Sequence, residues 1–279
     1  MRKANWRVNP EVFMRCIFCK VSSECSRSRE HIIPESLGNL TQVLPPGVVC
    51  DSCNNYLSRE VESPFLNSDA VKRLRFDQAI PSKRGKIPSM TGVIEPIHAP
   101  ATLTRFLRGN HIEGILDVSP RAIPHLLSLQ EGKLIFPAIA QPPSDRVVSR
   151  FLAKIAIEVI ASRLVAVYGS ADHLVDEQQL DLIRDHARRG TTPEWPYHLR
   201  RIYDCNMKWL ETDGREVQTV HEHDLLMTHW GELFLVLAIF GTEFTINFGG
   251  PEISGYLRWL DENNDRSPLY PEKCIKDLS

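Results

Sequence analysis

The sequence predicts an α+β protein of 279 residues in two parts, a small cysteine-stapled module followed by a larger mixed domain. Three observations carry that expectation. Two C-x-x-C pairs, Cys16–Cys19 and Cys50–Cys53, lie near the beginning of the chain. The stretch "SDRVVSRFLAKIAIEVIASRLVAVYG" (144–169) repeats apolar residues at helical spacing. Short apolar or alternating runs, separated by turn residues, fill 91–140 and the last third and read as strands.

Taken in order, residues 1–63 are rich in cysteine and basic residues and are punctuated by Pro34, Gly38, Pro45, Pro46 and Gly47. A helix is expected over 63–80, with Ser68 or Asp69 near its start as a cap. "PSKRGKIPSMTG" (81–92) reads as an exposed linker, which sets the expected parts at 1–80 and 91–279. The strand runs are "TGVIEPI", "ATLTRFL", "IEGILDV" and "KLIFPAI". In the long helix, Phe151, Ile155 and Val159 share one face and Leu152, Ala156, Ile160 and Leu164 the next. Arg150, Lys154, Glu158 and Ser162 occupy another. Ser144 or Asp145 suits its start and Gly169 its end. A second helix is expected over 175–190, acidic early and basic late, stopped by Gly190. Two or three strands with Gly-containing turns follow in "VQTVHEHDLLMTHWGELFLVLAIFGTEFTINFGG". No internal repeat is evident.

Net charge is −2, which argues against a general polyanion binder. The charge is uneven. Residues 1–90 hold 14 Lys and Arg against 9 Asp and Glu, and the remainder 19 against 26. A basic first third is compatible with local phosphate contact, and equally with solvated surface. No run approaches the roughly 18–20 apolar residues that span a bilayer. "MRKANWRVNP" has no apolar core of an export signal, so the expectation is a cytoplasmic protein without membrane contact.

Seven cysteines without an export signal do not suggest a disulfide framework. Cys16, Cys19, Cys50 and Cys53 can instead present four thiolates to one structural Zn²⁺. Thirty residues separate the pairs, enough to hold a folded insertion between them. Bound zinc would also supply stability that so small a module cannot gain from its core. Cys25, Cys205 and Cys274 read as ordinary residues.

The insertion contains "SREHIIPESLGN" (28–39), in which Glu30 and His31 are adjacent. A regular strand would point the two side chains to opposite faces, whereas a strand ending just before Pro34 can turn both toward one point. A carboxylate suits a hard cation, and imidazole is the natural base near neutral pH. Asn54 follows Cys53 directly, in the first turn of an expected helix, where the second pair would hold it rigidly. Arg27, Arg29 and Arg59 are candidate phosphate contacts. His221 and His223 would share one face of a strand, with His229 nearby. A half-buried strand explains them more simply than a second metal site.

Taken together, Cys16-x-x-Cys19, Glu30–His31–Ile32–Ile33–Pro34 and Cys50-x-x-Cys53–Asn54 resemble the cysteine-rich, zinc-stapled HNH endonucleases. The resemblance covers roughly residues 12–65. It implies a ββα-metal finger in which Glu30 and Asn54 hold one Mg²⁺ or Mn²⁺ and His31 activates water against a phosphodiester. The implied substrate is nucleic acid, duplex DNA first, with host defence or restriction as the implied setting. The family also places an Asn about five residues before the second pair, to orient the imidazole. Here that position falls near Pro45, and Asn39 is the nearest amide. Two other readings stay open: a non-catalytic zinc module that binds nucleic acid, and a sensor whose second domain controls the finger. Homo-oligomerisation, and a ligand or partner on the second domain, also stay open.

Overall fold

The computed structural model describes residues 14–273, apart from 110, 139, 192–193, 211–213 and 215. Residues 1–13 and Cys274 lie outside them. The chain begins with a turn. Cys16 N–H donates to Val21 O and Lys20 N–H to Cys16 O, so Cys16 and Cys19 face inward on a tight knuckle.

A short antiparallel hairpin follows, β1 (Glu30–His31) and β2 (Val43–Leu44), pairing Glu30 with Leu44 and His31 with Val43. The second knuckle opens α1 (Asp51–Leu57), capped by the Cys50 sulfur, which accepts from Cys53 N–H. The helix continues through a π turn, Ser58–Glu62, into α2 (Ser63–Leu66). After Ser68 comes α3 (Asp69–Asp77).

A peripheral antiparallel sheet contains β3 (Met90–Glu95), β4 (Ala99–Arg108), β5 (His111–Val118) and β6 (Lys133–Ile135), in the order β5-β4-β3-β6. α4 (Ile123–Leu127) lies between its last two strands in sequence. The long helix α5 (Asp145–Tyr168) starts after Ser144 and ends at Gly169, whose φ of 76° is the left-handed cap that glycine adopts without strain. Both ends fall where the sequence places them.

The expected helix over 175–190 is split into α6 (Asp172–Asp176) and α7 (Asp181–Arg189). Glu177 is extended, and its carboxylate caps a new turn through Gln179 N–H, so the first helix stops there. The last third is a second antiparallel sheet with a small hairpin beside it in sequence. Its strands in chain order are β7 (Tyr197–Arg201), β8 (Trp209–Leu210), β9 (Glu216–Val217), β10 (His221–Met227), β11 (Leu233–Ile239) and β12 (Thr242–Asn247). The main order is β10-β11-β12-β7, and β8 pairs only with β9 among the described residues. A two-residue turn, Phe240–Gly241, joins β11 to β12 with both φ values positive, which matches the twist of a hairpin. A Cβ at Gly241 would fall 2.1 Å from Tyr203 O, so the turn needs glycine there. α8 (Ser254–Glu262) covers Phe234 and Val236 with Tyr256 and Leu260, an i, i+4 pair that sequence reading passed over.

The packing explains why so much of α5 is buried. One apolar cluster runs from Cys16, Ile33 and Phe65 through Phe151 and Ile155 to Leu235 and Ile246. α5 therefore lies between the cysteine module and the second sheet, with Phe65 stacked on Phe151 at 4.0 Å. α7 supports the first knuckle as well. The buried Arg184 donates to Ile17 O at 2.7 Å and Leu174 O at 2.8 Å, and it pairs with Asp181. Arg184→Met is expected to leave both carbonyls unpaired inside the protein, costing on the order of 2–4 kcal/mol. Urea unfolding of the two proteins measures that difference.

Candidate active site and metal centre

The thiol sulfurs of Cys16, Cys19, Cys50 and Cys53 all lie within 4.8 Å of one another. Cys19 and Cys50 sulfurs are 3.6 Å apart. Tetrahedral zinc with bonds near 2.3 Å would place its sulfurs about 3.8 Å apart, so the donor set fits. Among themselves the thiols share protons unevenly. The hydrogen bond from Cys53 brings Cys16 down to about 5, against burial, and the same bond raises Cys53. Burial pushes Cys50 up to about 11. A bound zinc ion would resolve the imbalance by taking all four as thiolates.

The cluster fixes the start of α1 relative to the β1–β2 hairpin. Asp51 accepts from the backbone N–H groups of Arg27 and Ser28 and from the Ser28 hydroxyl. One turn along, Asn54 Nδ2 donates to Arg29 O at 3.2 Å. Asn54 is thereby held against the backbone immediately before Glu30 and His31. Its Oδ1 has no recorded partner among the described residues.

The two adjacent side chains have different surroundings. His31 is partly exposed, with Nε2 4.0 Å from Glu35 Oε2 and Nδ1 enclosed without a hydrogen-bond partner. Glu30 is buried, with Oε1 2.6 Å from Lys154 Nζ. Lys154 comes from α5 and is fully enclosed. It also lies 2.6 Å from Glu62 and 2.9 Å from Glu158, and it donates to His31 O at 3.1 Å. Burial raises Glu30, a shift that Lys154 opposes and Glu62 adds to. Burial likewise raises Glu158 well above the carboxylate range. For Lys154, burial works against the charge, but Glu158, Glu30 and Glu62 outweigh it and hold the ammonium firmly protonated.

The connection between β1 and β2 is tied by Asn39. Its Nδ2 donates to Ile33 O and Gln42 O, and its Oδ1 accepts from Thr41 and Gln42 N–H. All four hydrogen-bonding sites of the amide are engaged, so Asn39 sets the path of the chain on leaving His31.

The first part of the chain is similar to a known family. The HNH endonuclease family profile matches from the first knuckle to the start of α3. The match covers residues 16–69 of the 279 and makes this part of the chain similar to HNH endonucleases. No curated protein and no solved structure matches the chain. The match supports a nuclease-type function in general and implies a nucleic-acid substrate, and the four cysteines form a cluster that suits zinc.

The remaining candidates are scattered around the finger. Arg27 and Arg29 are exposed, and Arg59 is exposed and paired with Glu60. His223 Nε2 meets Gln42 Oε1 at 3.0 Å, and burial lowers His223 to about 4. The four cysteines are the metal-type cluster found among the described residues, and His221, His223 and His229 are not part of one. Among those residues no helix is long and apolar enough to cross a membrane.

Three residues around the site do more than their sequence signals announce. Asn39 was visible as an amide but not as the clamp of the hairpin. Lys154 and Glu158 were placed on a polar face of α5, yet both are 0% exposed. An i, i+4 Lys–Glu pair set in such an apolar helix was the available signal.

Proposed function

We propose that the chain is a metal-dependent endonuclease that hydrolyses phosphodiester bonds of nucleic acid, with duplex DNA as the first substrate. The observation that carries this reading is the Asn54–Arg29 hydrogen bond, which joins the zinc-held helix to the hairpin beside Glu30 and His31. Glu30 and Asn54 would hold one Mg²⁺ or Mn²⁺ through a carboxylate and an amide oxygen, both hard donors. When bound, such an ion neutralises charge on the phosphoryl group and on the leaving 3′ oxygen.

The chain's own side chains do the rest. His31 accepts a proton from the attacking water, with its ring at the protein surface where substrate can approach. The strand pairing with Val43 and the Asn39 clamp hold its backbone. Arg27, Arg29 and Arg59, all exposed, would position neighbouring phosphates without reading bases. The setting drawn from the resemblance is host defence or restriction.

Supercoiled plasmid and a structured RNA, each incubated with the protein in Mg²⁺, Mn²⁺ or EDTA, test the reading. Plasmid nicking or linearisation in a divalent ion and none in EDTA is the expected result. Intact plasmid and RNA in every metal, with binding retained in a mobility-shift assay, would favour a non-catalytic zinc module.

A further inference from the structure

The Lys154 ammonium touches three residues of the HNH finger, yet it is encoded far from that domain. Its contacts reach both members of the Glu30–His31 pair, the acid through its carboxylate and the histidine through its main-chain carbonyl. They also reach Glu62, carried by the π turn that extends the helix of Asn54. One turn earlier on α5, Arg150 donates to Glu60 O and Tyr56 OH. The polar face of α5 is thus turned onto the finger.

Three acids and one base enclosed together are not an economical way to hold two elements together. Desolvating charges costs several kcal/mol per ion, and apolar replacements of similar shape often serve stability as well or better. π turns inside α-helices are also frequent at functional sites. The Lys154 ammonium takes Oε1 of Glu30 at 2.6 Å.

We propose that Lys154 is a positioning residue of the nuclease site. It fixes the Glu30 carboxylate and the His31 backbone, so that the finger can hold its divalent ion only when docked on α5. This inference rests on the endonuclease reading and specifies what completes the site.

The test uses the full chain as wild type, Lys154→Met and Lys154→Met/Glu158→Gln. Zinc content and circular dichroism report the fold, electron paramagnetic resonance reports Mn²⁺ binding, and plasmid cleavage gives kcat and KM. Lys154→Met is expected to keep its zinc and its spectrum while Mn²⁺ affinity falls about 10–100-fold, the usual range when the support of a metal ligand is removed. Cleavage should fall in kcat with KM for plasmid little changed, and recover partly at high Mn²⁺, which a purely structural role would not produce.

Unchanged or tighter Mn²⁺ binding in a folded Lys154→Met protein overturns the proposal. If that variant loses zinc or its spectrum, the double variant decides, because it also neutralises Glu158, one of the three acids left unpaired. Weak Mn²⁺ binding in a folded double variant supports positioning, and wild-type affinity overturns it. A wild type that neither binds Mn²⁺ nor cleaves nucleic acid removes the endonuclease reading and this inference with it. Normal wild-type behaviour with an indifferent Lys154 variant removes the inference alone.

Discussion

His31→Ala protein is expected to fold, to keep its zinc and to cleave plasmid about 10²–10⁴-fold more slowly than wild type, the range that a positioned general base contributes. The structure gives reasons for each part. The His31 side chain is 26% exposed, so truncation opens no large cavity. Its backbone is paired with Val43, and its carbonyl is held by Lys154, neither of which needs the imidazole. The four sulfurs belong to other residues, so zinc should be unaffected. Mn²⁺ affinity should change little, because the imidazole is not assigned to the ion. A rate equal to wild type in a folded, zinc-loaded variant would remove His31 from the chemistry.

Cys53→Ser is expected to be more destructive, through structure. Cys53 is 1% exposed, sits in the core and shares the cluster with Cys16, Cys19 and Cys50. Structural zinc contributes on the order of 10 kcal/mol or more in small zinc modules, comparable with the whole stability of an ordinary domain. Without the staple, nothing of equal strength holds α1 to the first knuckle, and the contacts of Asp51 and Asn54 with the hairpin are lost together. The second sheet has its own core around Phe234, Val236, Tyr256 and Leu260 and is expected to survive. Metal analysis should show loss of the zinc, and limited proteolysis should cut within the finger before the C-terminal sheet. A fully folded, protease-resistant Cys53→Ser chain would show that the finger is held by its packing on α5 and α7 instead.

Legibility in the sequence followed the range of the interactions. The knuckles were readable because zinc demands a fixed spacing of fixed residue types, and the bounds of α5 because Ser144 and Gly169 are local signals. Strands β3–β5 and β10–β12 were readable from composition and turns. The break between α6 and α7 was not, because it depends on how one glutamate, Glu177, caps the turn that follows it. The surroundings of Glu30 were beyond reach for a different reason. Its partner lies 124 positions away: the i, i+4 pair of Lys154 and Glu158 is a local signal, but nothing local names Glu30 and Glu62 as the other partners. In the same way the amide of Asn39 was visible, but its grip on Ile33 and Gln42 depends on a loop closing.

The separation between His31 and Lys154 has a consequence in time. Chains are made from the amino end and tend to fold in that order. On the positioning reading, the cysteine knuckles can capture their metal while the helix that completes the acid's surroundings has yet to be synthesised. A nascent or prematurely ended chain would then carry a finger of recognisable shape but little cutting power. The nuclease would become dangerous only once its own translation was well advanced.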